Sequence, residues 1–314
     1  MLDSFVFSLN ATLPVFLVIV VGKILNKCGL FTKEFAFLTD KFVFKAALPV
    51  LLFKDISEMD FRQDFDVKFV LFCVSVSFVM FLGVWGLSYL FLKDKAAVGA
   101  FSQGAARGSA AILGIALATN IYGSSGYAPL MVLAAVPVFN VMSVIILELS
   151  RKNGNGRVNV ASILKGIITN PIILGIIAGV PFSLFDISLP TFAAATVDSV
   201  AKTATPMALL SVGAAFSFGE AKKKLTPSLV ASFVKLFALP LVFLPLAIAF
   251  GFRDSALVSI FILLGSPTTV TSYVMAKNMD NDGVLASNIV MLATLFSALS
   301  ITLWVFVLKQ LSLI

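Results

Sequence analysis

The chain has no histidine, which excludes a histidine metal site and a histidine proton relay. Its two cysteines, Cys28 and Cys73, make neither a disulfide framework nor a CxxC pair and read as reduced packing residues. No GxxxxGK(S/T) phosphate loop is present, so the chain does not itself hydrolyse ATP. Nothing supplies a nucleophile together with its base. An enzyme is therefore not expected, and neither a cofactor nor a metal is implied. Charge is also scarce: 12% of residues are charged and 59% hydrophobic, against about 25% and about 45–50% in soluble domains. No soluble fold could hide so much apolar surface.

What is present is hydrophobic length. A spanning helix needs about 20 mostly apolar residues, and about ten such stretches can be drawn: 7–26, 33–53, 68–92, 96–119, 127–149, 162–181, 190–217, 228–250, 254–276 and 285–308. The first is not a secretory signal, because Asp3 is the only charge before Lys23 and the apolar run is too long. The lipid bilayer is thus an expected partner and nucleic acid is not, despite a net charge of +7. The positive residues sort by connection instead. Lys27, Lys33, Lys93, Lys95, Arg151, Lys152, Arg157, Lys165, Lys222, Lys223, Lys224 and Lys277 fall in odd-numbered connections; Lys54, Arg62, Lys68 and Arg253 fall in even-numbered ones. The positive-inside rule puts the odd connections in the cytoplasm and both termini outside a cell (plasma or inner) membrane.

Sliding the chain along itself by 157 residues, half its length of 314, brings its landmarks into register. Pro14 meets Pro171, Gly22 meets Gly179, Lys45 meets Lys202, Pro49 meets Pro206, and Gly108-Ser109 meets Gly265-Ser266. The expected organisation is one transmembrane domain. Repeat one covers about 1–150, a cytoplasmic linker covers 151–160, and repeat two covers about 161–314. Five spans is an odd number, so the second repeat enters the membrane inverted. Such a repeat points to a transporter with its site between the halves.

Polar residues inside the spans mark that site. The fourth span carries Gln103, Gly104, Arg107, Gly108, Ser109 and Gly114; the ninth carries Gly265, Ser266, Pro267, Thr268 and Thr269. An arginine at mid-depth costs at least about 2.5–3.5 kcal/mol on insertion scales and usually faces a polar cavity. Glycines weaken a helix, Pro267 breaks its hydrogen-bond ladder, and freed backbone is tolerated only where it lines protein or water. A single kink means little, because proline and glycine are common in such helices. Two interrupted spans at equivalent positions point to a substrate site, with Gly114 and Gly265 as hinges. Exposed half-helix N-termini there would suit an anion. Lys45 has no acid four residues away and is the expected anion contact beside Arg107. Asp198 and Lys202 form an expected i, i+4 pair, so Lys202 serves either pairing or substrate. Asp40 could partly balance Lys41 or Lys45 at an unfavourable angle, and Lys235, ahead of Pro240, receives no role.

At these residues the chain resembles the auxin efflux carrier family, which includes bacterial malate and malonate permeases. The stretches that carry the resemblance in the second half are Asn170-Pro171, Pro206-Met207-Ala208-Leu209-Leu210-Ser211-Val212-Gly213 and Pro267-Thr268-Thr269-Val270-Thr271-Ser272-Tyr273-Val274. In the first half they are Leu48-Pro49-Val50-Leu51-Leu52-Phe53, Arg107-Gly108-Ser109, Gly114-Ile115-Ala116-Leu117 and Val138-Phe139-Asn140-Val141. The resemblance implies an all-α polytopic fold of ten transmembrane helices in two inverted five-helix repeats, similar to bile-acid symporters and sodium–proton antiporters. Spans one, two, six and seven would form a scaffold, and spans four and nine would cross at their breaks. It also implies a small organic anion substrate and commonly a homodimer. Two departures matter: the family usually has asparagine where Ser109 stands and often proline where Ala116 stands, so the fourth-span break must rely on glycines.

The expected function is secondary transport of mono- or dicarboxylates by alternating access. Arg107 and Lys45 would attract the anion, and Gly108, Ser109, Ser266, Pro267, Thr268 and Thr269 would orient it. Spans three, four, eight and nine lack acids apart from Asp94 and Asp254 at their edges, which favours potential-driven export over ion coupling. A proton- or sodium-coupled importer using Asp40 or Asp198 is the alternative within the class. A non-transporting receptor or structural subunit is the alternative outside it.

Overall fold

Helix follows helix along almost the whole chain, with no strand among the described residues. The computed structural model describes every residue except 1, 59–65, 110–116, 119–120, 123, 125, 152–164, 166–167 and 217. The elements of the first half are α1 (Leu2–Lys27), α2 (Lys33–Phe42), a π turn (Val43–Ala47), α3 (Leu48–Ser57), α4 (Val67–Phe91), α5 (Lys95–Ala106) and α6 (Ala128–Leu149). Those of the second half are α7 (Pro171–Leu184), α8 (Thr191–Ala215), α9 (Phe218–Lys223), α10 (Leu225–Phe233), a second π turn (Val234–Ala238), α11 (Leu239–Ala249), α12 (Asp254–Gly265), α13 (Thr271–Asn278) and α14 (Gly283–Gln310). Four of the expected spans are single helical runs long and apolar enough to cross a bilayer: Val67–Phe91, Ala128–Leu149, Leu225–Ala249 and Gly283–Gln310.

The few polar residues at span edges fix where helices begin. The side chains of Asp66, Asp94, Asn170 and Asp282 accept hydrogen bonds from the N–H groups of Phe69, Ala96, Ile172 and Leu285, satisfying donors that a helix start leaves orphaned. Both π turns stand directly before Leu-Pro, at Leu48-Pro49 and Leu239-Pro240. A proline ring clashes with the carbonyl four residues earlier, here Lys45 and Leu236, and the widened turn relieves that clash.

Apolar character alone does not distinguish the helices; their neighbours do. α4 buries Phe69, Phe72, Cys73, Val76, Met80 and Phe81, yet leaves Leu71, Phe78, Leu82 and Leu87 exposed. Its outer face is as apolar as its inner one, as lipid contact requires. α12 is instead buried at every residue from Ala256 to Gly265, packed among α11, α6, α4 and α14. It is the central element of the bundle.

Glycines set two close approaches. A Cβ on Gly22 of α1 would lie 2.8 Å from Leu210 Cα of α8, and one on Gly179 of α7 would lie 2.8 Å from the Phe53 carbonyl oxygen of α3. Neither leaves room for a side chain. Gly22 and Gly179 are 157 apart, and so are Phe53 and Leu210. The sequence offset is therefore repeated in the packing of α1 on α8 and α7 on α3.

Connections fall into two groups. On one side, Lys23 Nζ donates to the Phe216 carbonyl at 2.6 Å, Asp282 N–H donates to the Ala96 carbonyl at 3.1 Å, Arg151 pairs with Asp280 at 2.8 Å, and Lys224 pairs with Asp282 at 2.7 Å. Arg151 is held above its ordinary pKa, first by its hydrogen bond to Asp280. On the other side, Lys68 Nζ donates to the Phe250 carbonyl at 2.6 Å, Tyr127 N–H to Ser255 Oγ at 3.0 Å, and Asp254 N–H to the Leu313 carbonyl at 2.9 Å. The first group joins residues in or beside the expected odd-numbered connections; the second joins residues in or beside the expected even-numbered ones and the C-terminus.

Candidate functional site

The two breaks meet at the centre of the bundle. α5 ends at Ala106, and Arg107 turns extended at φ −78°, ψ 130°. α12 ends at Gly265, and Ser266 turns extended at φ −69°, ψ 149°. The physical causes differ. Pro267 pushes the residue before it out of the helical region, whereas the first break falls at Arg107 between Gly104 and Gly108, residues that weaken a helix. Where the segments cross, Ser109 N–H donates to the Pro267 carbonyl at 2.9 Å and Thr268 Oγ1 donates to the Gly104 carbonyl at 2.6 Å. Gly108, Ser109, Ser266, Pro267 and Thr268 are thus gathered in one place; Thr269, half-buried beside them, donates to Thr271 Oγ1 at 3.4 Å. Gly114 lies outside the described residues.

A helix end leaves four carbonyls without partners, and buried ones must be satisfied. Lys235, on the second π turn and fully buried, does much of this. Its ammonium donates to the Ala106 carbonyl at 3.2 Å and the Leu263 carbonyl at 3.0 Å, one from the last turn of each broken helix. Sequence reasoning gave Lys235 no role. The available signal was the likeness of its setting, Val234-Lys235-Leu236-Phe237-Ala238-Leu239-Pro240, to Val43-Phe44-Lys45-Ala46-Ala47-Leu48-Pro49.

Arg107 is 6% exposed. Its NH2 group donates to Asn140 Oδ1 at 2.7 Å, and its NH1 group to Ser143 Oγ at 3.4 Å and Met275 Sδ at 3.1 Å. Asn140 on α6 cannot flip away, because its Nδ2 donates to the Val136 carbonyl at 2.9 Å. All these partners are neutral. Among the described residues neither Arg107 nor Lys235 takes part in an ion pair, so the crossing carries two buried, uncompensated cations. Beside them the Ser266 hydroxyl, the Ser272 hydroxyl and the Gln103 carbonyl oxygen are buried without a hydrogen-bond partner.

The other residues singled out lie elsewhere. Lys45 is exposed while Val43, Phe44 and Ala47 of the same turn are buried, and among the described residues no hydrogen bond or ion pair joins it to the crossing. Asp198 sits between Lys202 at 2.5 Å and Lys54 at 3.5 Å, with Lys202 74% exposed. Lys54 also lines a 470 Å³ open cavity with Glu58 and Asp186, where it meets Glu58 at 3.3 Å. Positive charge there is already neutralised. Asp40 pairs with neither Lys41 nor Lys45. It is 1% exposed and accepts from Lys277 Nζ and from the Tyr273 hydroxyl at 3.1 Å, both on α13. Its other oxygen has no partner.

The model of a family described as "Membrane transport protein" matches residues 7–305. The chain belongs to that family. This is the auxin efflux carrier-like group to which its motifs pointed, and the chain is a membrane transporter by membership. It is 22% identical over 310 residues to an "Uncharacterized transporter" of Methanothermobacter thermautotrophicus, covering 96% of this chain and 98% of that protein. It is 26% identical over 270 residues to a "Putative malonate transporter" of Rhizobium meliloti, covering 83% of each.

Proposed function

We propose that this transporter is a secondary carrier of small organic anions, mono- or dicarboxylates, working by alternating access between two inverted five-span repeats. The observation that carries the reading is Arg107: a buried guanidinium at the crossing whose hydrogen-bond partners are all neutral. A carboxylate is its natural bidentate partner, and the unpartnered Ser266 and Gln103 groups offer further contacts. The relative named for malonate agrees with this class. The 157-residue offset in sequence and packing supports the repeat, and the separation of odd from even connections supports the ten-span course. With the lysine-rich odd side in the cytoplasm, the membrane is the cell membrane and the termini lie outside. We assign no homodimer contact beyond what the resemblance implies.

Direction follows from charge. One elementary charge crossing 100 mV is worth about 2.3 kcal/mol, roughly fifty-fold in the gradient of an exported monoanion, with no coupling ion. One observation favours a second reading, a proton- or sodium-coupled importer: Asp40 is a buried carboxylate with one oxygen unpartnered. Malonate flux in proteoliposomes separates the two, since export follows imposed voltage alone and coupled import collapses without a sodium or pH gradient.

The test of the site is Asn140→Asp. It is nearly isosteric and puts a carboxylate 2.7 Å from Arg107 NH2, where it competes with substrate. The variant trades the Asn140 Nδ2 bond to the Val136 carbonyl for an ion pair with Arg107, so it should still fold, and it should lose malonate flux at least tenfold. Wild-type flux in a folded Asn140→Asp carrier removes Arg107 from the site.

A further inference from the structure

Lys235 is the strongest group that the transport reading leaves unused. It stands on the π turn of the run Leu225–Ala249, 0% exposed, with its ammonium between the Ala106 and Leu263 carbonyls at 3.2 and 3.0 Å. Those carbonyls belong to the last turns of α5 and α12, so both half-helices point the negative ends of their dipoles at one atom. The Ser266 hydroxyl, buried and without a partner, lies alongside. A Cβ on Gly108 would fall 3.0 Å from both Cε and Nζ of Lys235 and would also meet that hydroxyl. Gly108 therefore leaves the gap through which the ammonium reaches its position. Two backbone carbonyls around one point, at two helix C-termini, with the unpartnered Ser266 hydroxyl nearby, are the kind of oxygen set that discontinuous helices offer a monovalent cation.

We propose that Lys235 is a tethered cation for the crossing: its ammonium occupies the position a dissociable alkali ion would need, so the broken helices are held together without sodium or potassium. This is independent of which substrate is carried, and its test uses no substrate.

Purified full-length protein is melted in detergent in sodium, potassium, n-propylammonium or tetramethylammonium chloride at equal ionic strength. Wild type should melt at the same temperature in all four. Lys235→Ala removes a propylammonium-sized piece and should melt about 5 °C lower in tetramethylammonium. Sodium, potassium or n-propylammonium should restore most of that shift, because each can fill the vacated oxygen set. Selective stabilisation of wild type by sodium overturns the proposal. So does a Lys235→Ala protein that is undiminished in tetramethylammonium, or one that is destabilised and rescued by no cation. Where Lys235→Ala does not fold in any salt, Lys235→Arg and Lys235→Met decide. A melting temperature higher for Arg than for Met supports a role for charge, and equal or reversed temperatures refute it.

Discussion

Removing Lys277 should cost the fold more than removing Asp40, although each change breaks the same ion pair. Asp40 is 1% exposed and its second oxygen has no partner, whereas the Lys277 side chain is 32% exposed. Lys277→Met therefore strands a carboxylate in the interior with only the Tyr273 hydroxyl to serve it. Breaking a buried pair in that sense costs about 3–5 kcal/mol, roughly 6–10 °C in melting temperature at about 2 °C per kcal/mol. Asp40→Ala strands an ammonium that can turn toward water and that keeps the Tyr273 hydroxyl at 2.9 Å; about 1–2 kcal/mol is expected. The double variant removes both charges and should recover about 2 kcal/mol relative to the sum of the single losses. Thermal unfolding of the four proteins in one detergent completes the cycle. The reasoning fails if Asp40→Ala is the more damaging change, or if the double variant loses the full sum.

Two further outcomes follow from the packing. Gly179→Val drives a side chain into the Phe53 carbonyl and Ile56 and should lower stability by about 2–3 kcal/mol, while Gly83→Val, facing open space, should change it by less than about 0.5 kcal/mol; equal melting temperatures for the two would refute the close approach. Pro240→Ala removes the clash that widens the second π turn, so Lys235 should rotate off its two carbonyls. Malonate flux should then fall at least tenfold with the circular dichroism of the helices unchanged; unaltered flux would show that the turn does not set the position of Lys235.

Much of the architecture was legible because membrane proteins write their constraints in composition. Apolar length marked the four helical runs long enough to cross a bilayer, and proline and glycine marked the breaks at Arg107 and Ser266 where the chain does turn extended. Asp94 and Asp254, read as span edges, stand at the starts of α5 and α12. The lysines were harder. Lys45 and Lys235 both sit in π turns ahead of Leu-Pro, and a weighting by nearby acids favoured Lys45 as the anion contact. Lys45 stands four residues before its proline and Lys235 five, so their side chains leave the turn in different directions, and one is exposed while the other is fully buried. Asp40 illustrates the same gap. Its partner Lys277 lies 237 residues away in sequence, beyond any i, i+4 rule.

The sequence by itself determined the solvent in which this protein folds, the number of apolar stretches, and the two points where a helix could not continue. Those are local matters, decided by hydrophobic length and by the backbone chemistry of proline and glycine. Only the tertiary structure decided that Lys235 holds the carbonyl ends of both broken helices and that Arg107 meets only neutral partners. Such contacts join residues from 28 to 168 positions apart on different helices, and a side chain's direction depends on neighbours that its own segment does not encode.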